Sequence, residues 1–149
     1  GNRRSKEISL VTEKALLPVL DLSQYPNAVI DVFIELLETD AGTRCAGICA
    51  AAMALADAGI PMKDLITAVS VGIMDDGIML DIDAHEDCDI GATDVPVAII
   101  PRTEEITLLQ LDGIVKKDKL KEAIALAKNA CKKINEVQKA ALRERYQNE

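Results

Sequence analysis

Tryptophan is absent from this chain, phenylalanine occurs once and tyrosine twice. With aromatics at 2% and an apolar fraction of 49%, any core must be aliphatic and rich in alanine. Long apolar runs are missing too. No stretch reaches the roughly 18 consecutive apolar residues that a membrane-spanning helix needs. The opening Gly1-Asn2-Arg3-Arg4-Ser5-Lys6 leads into mixed polar residues rather than an apolar leader. A soluble, cytoplasmic protein with no membrane partner is the expectation. No C-x-x-C pair exists, and His85 is the single histidine. Cys45, Cys49, Cys88 and Cys131 therefore read as buried or free thiols rather than a metal cage or a disulfide framework.

Positive charge is scarce where it would matter for a polyanion. Seventeen basic residues face 25 acidic ones, a net charge of −8. The distribution is uneven: residues 1–115 hold 7 of the basic and 20 of the acidic groups, residues 116–149 the other 10 and 5. The bulk field repels nucleic acid, so an RNA-directed function would need a local basic pocket or a partner subunit.

The 149 residues suffice for one ordinary domain or two small ones. Ile8, Val11 and Ala15 recur at helical spacing over 3–17, and Pro18 helps to end that helix. Over 28–38, Ile30, Val32, Ile34 and Leu36 alternate with Asp31, Phe33 and Glu35, which predicts a half-buried strand. Residues 44–58 predict a helix apolar nearly all round and therefore buried, closed by Gly59 and Pro61. The period then changes. Residues 65–74, 78–83, 95–100 and 106–112 predict strands, with Asp75-Asp76-Gly77 as a tight hairpin turn. Residues 117–147 predict a long helix with its stripe on Leu120, Ile124, Ala127, Cys131, Ile134, Gln138 and Leu142. No repeat or low-complexity segment is present. The first section offers one strand and two helices, too little for a sheet, whereas the section from residue 62 supplies four strands and a helix. The expectation is the tail of a truncated first unit, 1–61, followed by a complete α+β unit, 62–149.

Two segments could carry chemistry. Asp40-Ala41-Gly42-Thr43-Arg44 joins the predicted strand to a helix whose first amides have no internal partner. Gly42 permits close backbone approach, Thr43 adds a hydroxyl and Arg44 a bidentate cation, a combination that suits a phosphate. An ordinary turn with Thr43 as N-cap is the plainer alternative. Downstream, Asp81, Asp83, Glu86, Asp87, Asp89 and Asp94 place six acids within fourteen residues. Such crowding can raise the pKa of some members and hold a proton or a hard cation; a solvated acidic loop, with His85 as a bystander, accounts for it equally well. An EF-hand fails, because Glu86 and Ala92 occupy its Gly and Glu positions. Arg3-Arg4 opens the first helix and alone would read as a solvated terminus. Together, Arg4, Arg44 and the Gly42-Thr43 turn could hold one phosphate beside an acid.

These same residues resemble a known family. Asp40-Ala41-Gly42-Thr43-Arg44-Cys45-Ala46-Gly47-Ile48, followed by Ala54-Leu55-Ala56-Asp57-Ala58-Gly59-Ile60-Pro61-Met62, is similar to the strand–turn–helix block of RNase PH proteins. Glu86-Asp87 and Thr93-Asp94-Val95-Pro96-Val97-Ala98 resemble the acidic segment of that family. Ile106-Thr107-Leu108-Leu109-Gln110-Leu111-Asp112-Gly113 and Lys139-Ala140-Ala141-Leu142-Arg143-Glu144-Arg145-Tyr146 resemble its exosome-type catalytic members. The resemblance implies an RNase PH-type α+β fold, with a first domain of the kind seen in ribosomal protein S5. It implies phosphorolysis of single-stranded RNA from the 3′ end, with inorganic phosphate as co-substrate and Mg2+ as an optional cofactor. Arg4, Gly42, Thr43 and Arg44 would bind phosphate, Asp87 would be the general acid, and Asp94 would support it or a metal; no residue is assigned as a resident metal ligand. Asp87 and Asp94 stand seven apart where the family pattern has six, and Cys88 falls in the other register. Implied partners are a related non-catalytic subunit alternating in a six-membered ring and RNA-binding cap subunits. The alternatives are a non-catalytic ring subunit, which would be expected to lack the Thr43-Arg44 turn or Asp87, and an acidic metal-binding protein.

Overall fold

The structure is a computed structural model that describes residues 3–111 and 113–147. Helix α1 (Arg3–Leu16) leads through two 3-10 turns and an extended stretch into helix α2 (Thr43–Asp57). Strands β1 (Thr67–Ile73) and β2 (Ile78–Leu80) form a hairpin. A short helix α3 (Ala84–Cys88) follows, then strands β3 (Thr93–Ile100) and β4 (Glu105–Leu109) and the long helix α4 (Lys117–Gln147). The sheet is antiparallel throughout, in the order β2-β1-β3-β4. The expected strand end at Asp112 lies outside the described residues. Among those residues no helix is long and apolar enough to cross a membrane.

Strand alternation divides the core in two. Ile66, Ala68, Ala98, Ile100 and Leu108 face α1 and α2, where they meet Ala15, Leu16, Ile48, Ala52 and Leu55. Val69, Val71, Ile73, Val95, Val97 and Ile99 face the other way, onto Ala123, Ala127 and Cys131 of α4. The sheet is thus covered on both sides, which explains why β1 is buried at every position. Small residues on both helices let aliphatic side chains of the strands close the gap without aromatics. One polar device sits in this core. Gln138 of α4 accepts from the Thr67 hydroxyl at 3.0 Å and donates to the carbonyls of Cys49 and Ile66, each at 3.3 Å. It thereby satisfies buried groups on β1 and α2 at once.

Two expectations need correction. Residues 28–38 form no strand: the segment is extended and keeps its alternation, but among the described residues nothing pairs with it. A strand is stabilised by its neighbours' hydrogen bonds, and side-chain period alone does not supply them. Ala28, Ile30, Val32, Ile34 and Leu36 instead line a groove of about 630 Å³ against α1 and α2. On the other side Val29, Phe33 and Leu37 are 83%, 87% and 101% exposed, an apolar row with no cover. Helix α2, in turn, is buried along one face only, and Ala46, Ala50 and Ala54 remain exposed at i,i+4 spacing.

The close approach that positions the acidic segment is at Gly72. A Cβ there would lie 2.4 Å from Cγ2 of Ile82, a side chain only 2% exposed, and 3.4 Å from Cβ of Ala92. Ile82 thus plugs the sheet where β1 has no side chain, and the acidic residues on either side of it are carried along. Gly72→Ala is expected to cost about 1–3 kcal/mol through overpacking, and Ile82→Ala about 2–5 kcal/mol through the cavity it leaves. In urea denaturation the double variant should cost clearly less than the sum, since alanine at 82 makes room for alanine at 72. Strict additivity would show that the two positions do not touch.

Candidate functional site

Helix α2 begins without a side-chain cap. Its N-cap is Gly42, in the left-handed region at φ 57°, so Thr43 is the first helical residue and its hydroxyl is not spent on capping. Ala41 precedes it at φ 56°, a conformation that costs a non-glycine residue free energy and that tends to persist where a loop is held for use. The amides of Cys45 and Ala46 donate to the Gly42 carbonyl. Those of Thr43 and Arg44 find no acceptor among the described residues, and they lie at the positive end of a fifteen-residue helix.

The acidic segment comes to this turn. The Asp40 carboxylate accepts from the Ala84 amide at 3.1 Å. A Cβ on Gly42 would stand 3.4 Å from Oδ1 of Asp81. Within the segment, Asp83 caps α3 by accepting from the Glu86 amide at 2.8 Å, and Glu86 reaches back to the Asp83 amide at 3.0 Å. This reciprocal box orders what the sequence leaves open as a loop. Asp87, on α3, is half-buried, whereas His85 is exposed and pairs with Asp89 at 2.7 Å.

Asp94 stands at the start of β3, opposite Gly72 on β1. Ser70, two residues along the same face of β1, donates a hydrogen bond to its carboxylate. Burial pushes the Asp94 carboxyl above the usual carboxylate range. The Ser70 hydroxyl pulls it back, the nearby charge of Asp87 pushes it up, and Arg44 pulls it down. Asp87 and Asp94 thus lie within electrostatic reach of each other, and Asp94 within reach of Arg44.

Arg44 is half-buried and held through Nη1. It donates to Glu7 of α1 at 3.1 Å and, in a short hydrogen bond, to Oε1 of Gln110 just beyond β4. Arg4 lies one turn before Glu7 on α1, on the same helix face by i,i+3 spacing, and is exposed. Its guanidinium makes no hydrogen bond or ion pair among the described residues. The structure thus brings the Gly42-Thr43-Arg44 turn and the segment of Asp87 and Asp94 together, and among the described residues no contact joins Arg4 to them. Among the described residues no three His, Cys, Asp or Glu side chains converge as a metal cage. Ser70, Glu7 and Gln110 gave no signal in the sequence as members of the site. Only the Asp-x-x-Glu pattern of Asp83 and Glu86 could have revealed the ordered turn at α3.

The sign of a stability change at Asp94 follows from its raised pKa. The native state holds this proton more tightly than the unfolded chain, so ionised Asp94 costs stability above the raised value and the cost fades as pH falls through it. Asp94→Asn keeps an acceptor for Ser70 and removes the charge. Urea denaturation should find the variant more stable than the parent at pH 8, with the gap closing toward about pH 4, near the ordinary carboxylate value. A variant less stable at every pH would refute the burial argument.

Residues 1–61 match the model of the 3′ exoribonuclease family, domain 1, and residues 64–130 that of domain 2. Over 97% of its length the chain is 53% identical to exosome complex component Rrp41 of Thermococcus kodakarensis, 52% to that of Pyrococcus furiosus and 46% to that of Cenarchaeum symbiosum. It spans 58–59% of the length of these relatives. Its fold is that of rice (Oryza sativa) Rrp46, whose crystal structure superposes with a TM-score of 0.87 over 96% of this chain and 68% of that one, at 20% identity. The chain belongs to the 3′ exoribonuclease, or RNase PH, family.

Proposed function

We propose that this chain carries the phosphate-binding and proton-donating half of a phosphorolytic 3′→5′ exoribonuclease, working on single-stranded RNA within an exosome-type ring. The observation that carries the reading is the meeting of the uncapped Thr43-Arg44 turn with a carboxyl held protonatable by burial at Asp94. Inorganic phosphate would sit on the free amides of Thr43 and Arg44 and on the guanidinium of Arg44, with Arg4 closing from α1. An oxygen of that phosphate attacks the terminal phosphodiester phosphorus in line, the bond to the 3′ oxygen of the preceding nucleotide breaks, and a nucleoside diphosphate leaves. The 3′ oxygen takes its proton from the Asp87–Asp94 pair. Burial favours the neutral form of Asp94. Catalysis of this kind rests on positioning and on neutralising charge.

Because the chain is acidic overall, the RNA path depends on basic groups beyond this site, in a related ring subunit and in RNA-binding cap subunits. Mg2+ enters the proposal only through one or two of these carboxylates together with substrate phosphates, the usual manner of that ion.

The test uses a chimera in which this chain replaces the matching residues of the Thermococcus relative, assembled with its ring partner. Single-turnover phosphorolysis should fall at least about 10²-fold for Asp87→Asn and for Asp94→Asn, and about 10²–10³-fold for Arg44→Ala, while RNA binding persists. Ser70→Ala removes a hydrogen bond that lowers the Asp94 pKa. The alkaline limb of its pH–rate profile, where the acid loses its proton, should therefore move to higher pH. Full activity in both Asn variants would end the proton-donor assignment.

A further inference from the structure

We infer that Gln110, acting with Glu7, is a positioning residue for the phosphate site: the two form a clamp that fixes the guanidinium of Arg44. The inference rests on the reading of Arg44 as a phosphate ligand. Gln110 is well placed for this task. Its backbone amide donates to the Pro96 carbonyl at 3.1 Å, which ties it to β3. Its side-chain carbonyl accepts from Nη1 of Arg44, and its side-chain amide donates to Oε1 of Glu7 at 3.1 Å. Glu7 Oε1 also accepts from Arg44 Nη1 at 3.1 Å, so the three side chains close a ring.

That ring joins α1, α2 and the end of β4, positions separated by 37 and 66 residues from Arg44. It engages one nitrogen of the guanidinium, and among the described residues Nε and Nη2 have no protein acceptor. The clamp therefore holds the fork by one tip and leaves the other donors for an anion, a division of labour that suits a planar bidentate group. Gln110 and not a second acid is suited to this place, because a neutral amide can accept from Arg44 and donate to Glu7 without adding negative charge beside a phosphate. With Arg44 and Glu7 only 25% and 43% exposed, the pair is partly shielded from solvent and its geometry resists screening.

The experiment titrates the 149-residue chain with inorganic phosphate and follows the amide resonances of Thr43 and Arg44, with thermal melts run beside each variant. Gln110→Met removes both hydrogen bonds at constant charge and similar size. It should weaken phosphate binding about five- to tenfold, the scale of one ordinary net hydrogen bond, with little change in melting temperature. The exchange E7Q/Q110E rebuilds the ring with the two roles reversed and should restore binding to within about twofold of the parent, the same hydrogen bonds being re-formed. Should Gln110→Met not fold, Q110E alone makes the comparison: it sets two carboxylates side by side and weakens binding, and the exchange repairs it. Parent-like affinity in Gln110→Met, or an exchange no better than Q110E, overturns the clamp while leaving phosphate binding intact, provided that Arg44→Ala abolishes it. If Arg44→Ala binds as the parent does, or the parent shows no saturable shift at these amides, the phosphate reading itself fails and takes the clamp with it.

Discussion

The site depends on the seating of Ile82 in the space left by Gly72. Without a side chain at that point of β1, the sheet presents a notch on the face that looks toward α2. Ile82 fills the notch, with Ala92 closing its far side. The residues around Ile82 cannot then wander as a solvated loop. Asp81 is brought to Gly42, Asp83 and Glu86 close their capping box, and Asp87 is carried to within reach of Asp94. A hydrophobic contact of one side chain thus decides where a cluster of charges sits. The direction of cause is reasonable on magnitudes: a buried isoleucine is worth about 1.5–3 kcal/mol, whereas exposed charge pairs are worth about 0–1 kcal/mol.

Charge balance is the second constraint. On the proposed reading, a chain with net charge −8 would have to hold an anion beside several carboxylates. It would do so by keeping helix amides uncapped at Gly42, by fixing one arginine from two other elements, and by burying Asp94 so that its proton is retained more readily. Each device is local and none requires a basic surface. The thiols take no part: burial raises the pKa of Cys45, Cys49 and Cys131, which leaves them as packing groups.

Much of the fold was legible in the sequence because the second unit obeys simple periods. The Asp75-Asp76-Gly77 hairpin and the four strands follow from alternation and turn chemistry, although β2 stops at Leu80, short of the expected residue 83; the stripe of α4 holds at Ala127, Cys131 and Gln138 but misses buried Ala123 and Asn135. Residues 28–38 misled for a physical reason. Their alternation reports which side faces the protein, and Ile30 and Ile34 do face α2, but pairing depends on a neighbour that a local pattern does not contain. The turn proposed to hold phosphate stands in the sequence as five consecutive residues, Asp40 to Arg44. Its supports were not legible there: Ser70 comes to Asp94 only through the pairing of β1 with β3, and Gln110 and Glu7 reach Arg44 only across the whole fold. The raised pKa of Asp94 was not legible either, since it arises first from burial, which the sequence does not show.

The central claim is that phosphate, not water, is the attacking group at this site. Its most direct test is the identity of the mononucleotide released from a 3′-tailed single-stranded RNA by the chimera assembled with the ring partner of the Thermococcus relative, with and without inorganic phosphate. Nucleoside diphosphates, formed only when phosphate is present and lost with Arg44→Ala, are the predicted products. Nucleoside monophosphates formed without phosphate would contradict the account.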